Sequence, residues 1–176
     1  NLFIAANLSG SYIDQTDIKN LLAGMEIPAY PEYGIIRFDT LIYNGSPLDF
    51  NSNVNILTDK GDIAAFINLN LENELIHYDM NLKTNKVDIG PVAGVNSSLN
   101  ISAHIKGMGT SPETFDGSIR LFANGSTING NSLDTLRLTA DADNKFINYD
   151  FRLVSNKTIA DLAGDIDFKP DEPAYR

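Results

Sequence analysis

Two histidines are the side chains of this sequence best suited to acid–base catalysis or metal binding. Histidine exchanges a proton near neutral pH, and its ring nitrogens bind transition metals. His77 lies in the segment "LIHYDMNLK" and His104 in "LNISAHIKG", and both segments alternate apolar with polar residues. Because successive side chains of a strand point to opposite faces, the alternation predicts that both histidines lie on a solvated surface.

Acidic residues form three groups whose spacing could indicate calcium binding. None of them has the twelve-residue loop with a closing Glu that an EF-hand uses. Two groups stand where hairpin turns favour Asp and Asn, and the third alternates along one strand face. We therefore expect no metal site in any of the three. In chain order they are Asp59 with Asp62, Asp141 with Asp143 and Asn144, and Asp161 with Asp165 and Asp167.

Sequence motifs of known enzymes are missing as well. The glycine-rich segment "GMGTSPETFDG" (107–117) lacks the Gly-Lys-Ser/Thr ending and the following helix of a phosphate-binding loop. No Gly-x-Ser-x-Gly element is present. The chain contains no cysteine, which excludes thiol catalysis, disulfides and cysteine metal sites. The sequence thus predicts a protein without enzymatic activity or cofactor.

Composition narrows the class of partner. The chain has 176 residues, 43% of them hydrophobic, and a formal net charge of −10. This apolar content suits a folded core rather than disorder. The negative charge argues against nucleic acids and anionic membrane surfaces as electrostatic partners.

Strand patterns separated by short polar turns account for most of the chain. Only two segments, 17–23 and 88–93, have the pattern of a short helical turn, and neither is long enough to cover a sheet. Turn residues such as Asn129-Gly130 predict tight hairpins, which make neighbouring strands antiparallel. The sequence thus predicts an all-β, mainly antiparallel fold with strands at 2–13, 35–43, 48–57, 63–71, 75–83, 99–107, 115–123, 133–142, 146–154 and 159–168.

The chain also resembles itself. "GIIRF" (34–38) returns as "GSIRL" (117–121), and "YNGSPLDF" (43–50) returns as "INGNSLDT" (128–135). Repeated units of this kind are typical of architectures that grow by stacking. We predict one elongated β domain over residues 1–168, made of two similar repeats at about 1–86 and 87–168, with a C-terminal linker at 169–176.

Apolar residues recur on the same side of strand after strand, while the other side carries mainly Asn, Asp, Ser, Thr, Arg and Lys. Such a one-sided sheet can bury its apolar face as a sandwich, as a closed barrel or as a curled half-pipe. The residues predicted to line the apolar face are Ile36, Phe38, Val54, Ile56, Ile63, Ile67, Leu69, Ile76, Tyr78, Met80, Leu82, Leu99, Ile101, Ile105, Ile119, Leu121, Leu136, Leu138, Ile147, Tyr149, Phe151, Leu153, Leu162, Ile166 and Phe168.

Residues 84–138 carry three motifs of one bacterial family. They are a Val-Asp-x-Gly turn ending in glycine (87–94), a strand end reading "GMGTSPETFDG" (107–117), and a strand and turn reading "STINGNSLDTL" (126–136). Together they cover about a third of the chain, and the chain resembles the TamB/AsmA-like proteins of bacterial envelopes. Two types of member, TamB and AsmA, fit these motifs equally.

This resemblance implies a curled, taco-like half-pipe sheet with an apolar inner groove. It further implies a segment of a periplasmic bridge that shields phospholipid acyl chains between the inner and outer membranes of a diderm bacterium. An Omp85-type outer-membrane barrel would be a partner of other parts of the full-length chain. The sequence begins without Met or a signal-peptide pattern, so we expect a piece of a longer chain whose inner-membrane anchor lies outside it.

Two other functions fit the same pattern. The groove could hold unfolded strands of outer-membrane β-barrel proteins, which would make the protein a chaperone or assembly factor. The chain could also be a structural β-solenoid or adhesin stalk whose apolar face is fully packed. A preference for extended peptides would favour the first of these, and a closed apolar face the second.

Overall fold

Alternating apolar and polar residues form strands along nearly all of the chain that the computed structural model describes, namely residues 2–14, 17, 34–111, 114–156, 158–169, 174 and 175. The fold is all-β, as predicted. Its strands are β1 (Ile4–Asn7), β2 (Ser11–Ile13), β3 (Ile36–Gly45), β4 (Asp49–Thr58), β5 (Gly61–Asn70), β6 (His77–Asn85), β7 (Ser97–Ser98), β8 (Ile101–Met108), β9 (Asp116–Ile128), β10 (Asn131–Asp143), β11 (Phe146–Ser155), β12 (Thr158–Asp167) and β13 (Ala174–Tyr175).

All thirteen strands belong to one antiparallel sheet with the order β1-β3-β4-β5-β6-β8-β9-β10-β11-β12-β13. The two short strands β2 and β7 pair with β3 and β9. The two ends of this path, β1 and β13, do not pair with each other, so the sheet is open. An open antiparallel sheet of this kind is consistent with the predicted half-pipe, whereas a barrel requires closure.

Tight turns produce the antiparallel order. Asn129 and Gly130 connect β9 to β10 with φ angles of 47° and 73°, and Asn144 and Lys145 connect β10 to β11 with φ angles of 49° and 65°. Positive φ at both central residues is what a type I′ hairpin turn requires, and its twist matches that of the flanking strands. Residues that tolerate this conformation thus set the register of the long strands β9, β10 and β11.

One helical turn, α1 (Gly90–Ala93), lies in the connection between β6 and β8, within the predicted segment 88–93. It ends because Gly94 adopts the left-handed conformation, from which its N–H donates to the carbonyl oxygen of Gly90. The other predicted helical turn, 17–23, lies outside the described residues except for Asp17.

Both predicted repeats contribute to the same sheet, because β6 of the first pairs directly with β8 of the second. The similar sequence pairs correspond to two hairpins, β3–β4 and β9–β10. The two-repeat organisation itself stays a prediction. Within the predicted linker 169–176, Ala174 and Tyr175 add a short strand to β12, because the outer side of β12 offers unpaired backbone groups.

The described residues form almost no closed core. Their buried hydrophobic side chains are Val87, Leu99, Ala123 and Ala142. Extensive contacts between elements occur only between neighbouring strands. Within the described part of the chain, no second layer of structure therefore packs across the sheet, which leaves no support there for a sandwich.

Candidate functional site

One row of apolar side chains crosses nine strands of the sheet, β3 to β6 and β8 to β12, and is extended by Leu8, which directly follows β1. Cross-strand partners in an antiparallel ladder share a face, and each member of this row is the partner of the next. The link from β1 to β3 is the hydrogen bond of 2.9 Å from the Leu8 N–H to the Leu41 carbonyl oxygen. The row consists of Leu8, Leu41, Val54, Ala65, Leu82, Ala103, Leu121, Leu138, Phe151 and Leu162.

Parallel rows on either side widen this surface, which we call the apolar face. One of them runs through Ile67, Met80, Ile105 and Ile119 on four successive strands. The cross-strand pairings place every predicted lining residue that lies in β3 to β6 or in β8 to β12 on the apolar face. Three predicted lining residues lie outside the strands. Ile76 precedes β6, Phe168 follows β12, and Leu99 forms an isolated bridge with Val87.

The apolar face is only partly shielded from solvent. Leu162 keeps 59% of its surface exposed and Leu82 keeps 38%, while the other predicted lining residues are half-buried except for the buried Leu99. A filled protein interior would bury such side chains almost completely. Within the described residues, the apolar face is thus an open surface.

The register of β3 adds two lining residues that alternation alone does not predict. A shift in the pairing with β4 occurs between Phe38 and Thr40, so that Asp39 is an extra residue of the bulge type. As a result Leu41 pairs with Val54, and Tyr43 joins the same face, where its ring stacks on Phe50 at a centroid distance of 4.9 Å. The sequence signal is the polar pair Asp39-Thr40 inside an apolar run.

Polar groups on the apolar face are satisfied by the backbone beside them. The hydroxyl of Ser52 donates to the carbonyl oxygen of Ile42 at 3.0 Å. Thr84 Oγ1 donates to the Leu99 carbonyl and accepts from the Ile101 N–H, at 3.0 and 2.8 Å. Paired in this way, these groups do not need to be solvated from the apolar side.

A tyrosine spans a stretch of the face that lacks side chains. Tyr78 pairs with Gly107, which in turn pairs with Gly117. The Tyr78 hydroxyl donates to the carbonyl oxygen of Gly109 at 2.8 Å, so the ring lies along the end of β8. Partial burial of the phenol raises the pKa of Tyr78, so the group is neutral at physiological pH and adds no charge to the face.

The opposite face of the sheet, which we call the polar face, carries cross-strand ion pairs. His104 Nε2 lies 2.9 Å from a carboxylate oxygen of Asp79. The sequence predicted both His77 and His104 on this face, and the pairings place them there. Three further ion pairs each link two neighbouring strands between β9 and β12. They are Arg120 with Asp141, Arg137 with Asp150, and Arg152 with Asp161.

Several apolar side chains depart from the predicted polar composition of that face. Phe66 and Phe122 are exposed at 42% and 44%. Ile42 and Ile159 also follow the polar parity of their strands. Phe66 pairs with Asn81 and Phe122 with Ser102. Phe66 lines a shallow surface depression of about 360 Å³, and so does Ser102, the cross-strand partner of Phe122.

No group of three or more His, Cys, Asp or Glu side chains in the described part of the chain has the geometry of a metal site. The described helices include none with the length and apolar character needed to span a membrane. The arrangement therefore offers a ligand an extended apolar face whose central row contains no charged side chain. The polar face lies on the opposite side of the sheet.

Comparison of the chain with family models, with curated proteins and with solved structures finds no match.

Proposed function

We propose that the apolar face shields phospholipid acyl chains from water, as a segment of a periplasmic bridge that carries lipids from the inner to the outer membrane of a diderm bacterium. The observation that supports this most directly is the row of ten apolar residues from Leu8 to Leu162, of which nine lie on successive strands and Leu8 directly follows β1. At a strand spacing of about 4.8 Å, such a row extends over roughly 43 Å.

An acyl chain gains from contact with a surface of this kind. Each methylene group removed from water contributes about 0.8 kcal/mol, and the row provides an apolar side chain at every strand that it crosses. Movement along it exchanges one equivalent contact for the next, so a chain would slide without returning to water. The charged headgroup would stay in solvent at the open side of the sheet.

The two competing functions make different demands on the apolar face. A structural stalk needs this face packed shut, whereas most of its lining residues are only partly buried. A chaperone for outer-membrane β-barrels would use the same face for an extended amphipathic peptide. The chaperone function is favoured by the open edges of the sheet, because a peptide strand could pair with them.

Lipid capture tests the proposal. The chain is expressed in a diderm bacterial host, purified without detergent, and examined for bound phospholipid by mass spectrometry. The test variant replaces Leu138 and Phe151, which are cross-strand partners on the apolar face, by asparagine. The matched control replaces Thr139 and Asp150, which are the adjacent partners on the polar face, by asparagine.

We expect bound phospholipid in the wild type and in the control, and a severalfold loss in the Leu138→Asn, Phe151→Asn variant with unchanged circular dichroism. A folded wild type that carries no lipid and does not bind a fluorescent fatty acid would contradict the proposal. Displacement of the fluorescent fatty acid by an extended amphipathic peptide at far lower concentration than by phospholipid would favour the chaperone function.

A further inference from the structure

Three tyrosines of the apolar face lie on the same side of its central row, the row from Leu8 to Leu162. Tyr43 and Tyr149 belong to the neighbouring row, and Tyr78 lies one row further out, next to Leu69. We call this the tyrosine side of the apolar face. Between Tyr43 and Tyr149 the neighbouring row runs through Ser52, Ile67, Met80, Ile105, Ile119 and Ala140.

The row on the other side of the central row is almost entirely apolar, and we call it the aliphatic side. Its one polar member is Thr84, whose hydroxyl both donates and accepts a hydrogen bond within the sheet. The apolar face is therefore more polar on the tyrosine side. The aliphatic side consists of Phe38, Ile56, Ile63, Thr84, Ile101, Ala123, Leu136, Leu153 and Ala160.

The three tyrosine hydroxyls differ in their hydrogen bonds. Tyr43 Oη donates to the carbonyl oxygen of Ser46 at 2.7 Å, and Tyr78 Oη donates to that of Gly109 at 2.8 Å. The Tyr149 hydroxyl has no hydrogen-bond partner among the residues that the structure describes. Its ring is partly buried. A phenol of this kind offers an apolar ring and one O–H donor to a ligand on the apolar face.

The cross-strand neighbours of Tyr149 leave room beside its ring. They are Ala140 on β10 and Gly164 on β12, which are the two smallest residue types. Tyr43, by contrast, stacks its ring on Phe50. A polar group of a ligand can therefore approach the Tyr149 hydroxyl without displacing a large cross-strand side chain.

The width of the apolar face along β11 matches the length of an acyl chain. Phe151 and Leu153 follow Tyr149 on this face, and four residues at about 3.4 Å each place Leu153 about 14 Å from Tyr149. The acyl chains of one leaflet occupy about 15 Å, which is half of the hydrocarbon thickness of a bilayer. A lipid with its ester groups beside Leu153 would leave their carbonyl oxygens without a donor from that side chain, which is unfavourable where water is displaced.

We propose that a bound phospholipid lies along the strand direction at β11, with its glycerol esters on the tyrosine side and its acyl chains on the aliphatic side. The Tyr149 hydroxyl donates a hydrogen bond to an ester carbonyl oxygen. This orientation rests on the proposed function, because it requires a phospholipid on the apolar face. Transport along the central row then moves the lipid sideways from strand to strand without turning it over.

Fluorescence quenching tests the orientation. The chain contains no tryptophan, so a single introduced indole reports on one position. Ile147→Trp lies at the tyrosine end of β11, and Leu153→Trp lies on the aliphatic side of the same strand. Each variant is checked by circular dichroism and loaded with phosphatidylcholine that carries a nitroxide quencher on its headgroup or at the end of an acyl chain. We expect the headgroup label to quench Ile147→Trp more strongly, and the chain-end label to quench Leu153→Trp more strongly.

Tyr149→Phe tests the hydrogen bond, because it removes the hydroxyl and keeps the ring. Affinity is measured with diphenylhexatriene, a fluorescent hydrocarbon without a hydrogen-bonding group, and by its displacement with a monomeric short-chain phosphatidylcholine. Phosphatidylcholine binding should weaken about threefold to tenfold, as for the loss of one hydrogen bond, whereas diphenylhexatriene binding should not change. Tyr12→Phe is the matched control and should change neither affinity, since Tyr12 pairs with Arg37 on the polar face.

Other outcomes overturn the orientation. Equal quenching by both labels at both positions would mean that the lipid binds without a fixed direction, and the proposed function would stand. A reversed pattern would place the headgroup on the aliphatic side. Equal weakening of phosphatidylcholine and diphenylhexatriene binding in Tyr149→Phe would mean that the hydroxyl only supports the sheet. Absence of quenching by either label, with no binding of diphenylhexatriene, would contradict the proposed function and the orientation together.

Discussion

Leu138 lies directly opposite Phe151 across the β10–β11 ladder, with both side chains on the apolar face and neither of them buried. A cross-strand pair of this kind normally belongs to a closed core. Here the pair stabilises the sheet through its own contact, and the rest of its surface remains available to a ligand. Partly exposed lining residues such as Leu138 should therefore matter more for ligand binding, and buried ones such as Leu99 more for stability.

Replacement of Leu138 by alanine should lower the free energy of unfolding by about 1 kcal/mol, because this leucine is only partly buried and has part of its surface in water already. Leu99 is exposed at only 9%, and Leu99→Ala should cost about 2–4 kcal/mol, as for a core leucine. Urea unfolding followed by tyrosine fluorescence measures both. Equally large losses would mean that the apolar face is packed shut.

Gly117 faces Gly107 across the β8–β9 ladder at a point where the backbones lie very close together. A Cβ added at Gly117 would lie 2.1 Å from the carbonyl oxygen of Lys106. Gly117→Ala should therefore destabilise the protein by about 1–3 kcal/mol, the usual range for overpacking.

Thermal unfolding measures this effect. Ser118→Ala, at the next residue of the same strand and on the polar face, is the control and should change stability by less than about 0.5 kcal/mol. A neutral Gly117→Ala would show that β8 and β9 can separate at this end, and that close backbone approach is not required there.

Asp88 anchors the β6–β8 connection. Its carboxylate accepts hydrogen bonds from the N–H groups of Gly90 and Ser97, at 2.9 and 3.1 Å, and lies 3.6 Å from Lys60 Nζ. These contacts lower the pKa of Asp88. The backbone hydrogen bond from Gly90 contributes most to this shift, followed by the one from Ser97, and the charge of Lys60 adds to it.

A carboxyl group whose pKa is lower in the folded state stabilises the protein above its unfolded-state pKa of about 3.9, and this contribution is lost as the pH falls through the folded-state value. Wild-type stability should therefore decrease below about pH 4. Asp88→Asn should be less stable at pH 7 and should lose less on acidification. Urea unfolding from pH 7 to the acid limit measures the difference, and parallel pH profiles would contradict the assignment.

Strand positions were predicted from the sequence to within a few residues. The predicted strand 146–154 is observed at Phe146–Ser155, and the predicted strand 63–71 at Gly61–Asn70. Alternation is a local property, and hairpin residues such as Asn129-Gly130 act within a few positions of the chain. For these reasons a single sequence is sufficient to locate these elements.

Lining residues near Asp39 could not be located in the same way. Strict alternation from Ile36 assigns Leu41 and Tyr43 to the polar face, and the register shift in β3 moves them to the apolar one. Phe66 and Phe122 show that apolar character alone does not predict the face either, because both lie on the polar face. Side-chain type is a weaker constraint than the pairing of a whole strand.

By itself, then, the sequence determined an all-β antiparallel fold and the identity of most residues on its apolar side, because both follow from the two-residue period of a strand. Only the tertiary structure decided that one sheet contains all thirteen strands, that its ends stay open, and that Leu8 to Leu162 form one unbroken row. These features depend on register and on which strands become neighbours, and backbone pairing between distant segments sets both.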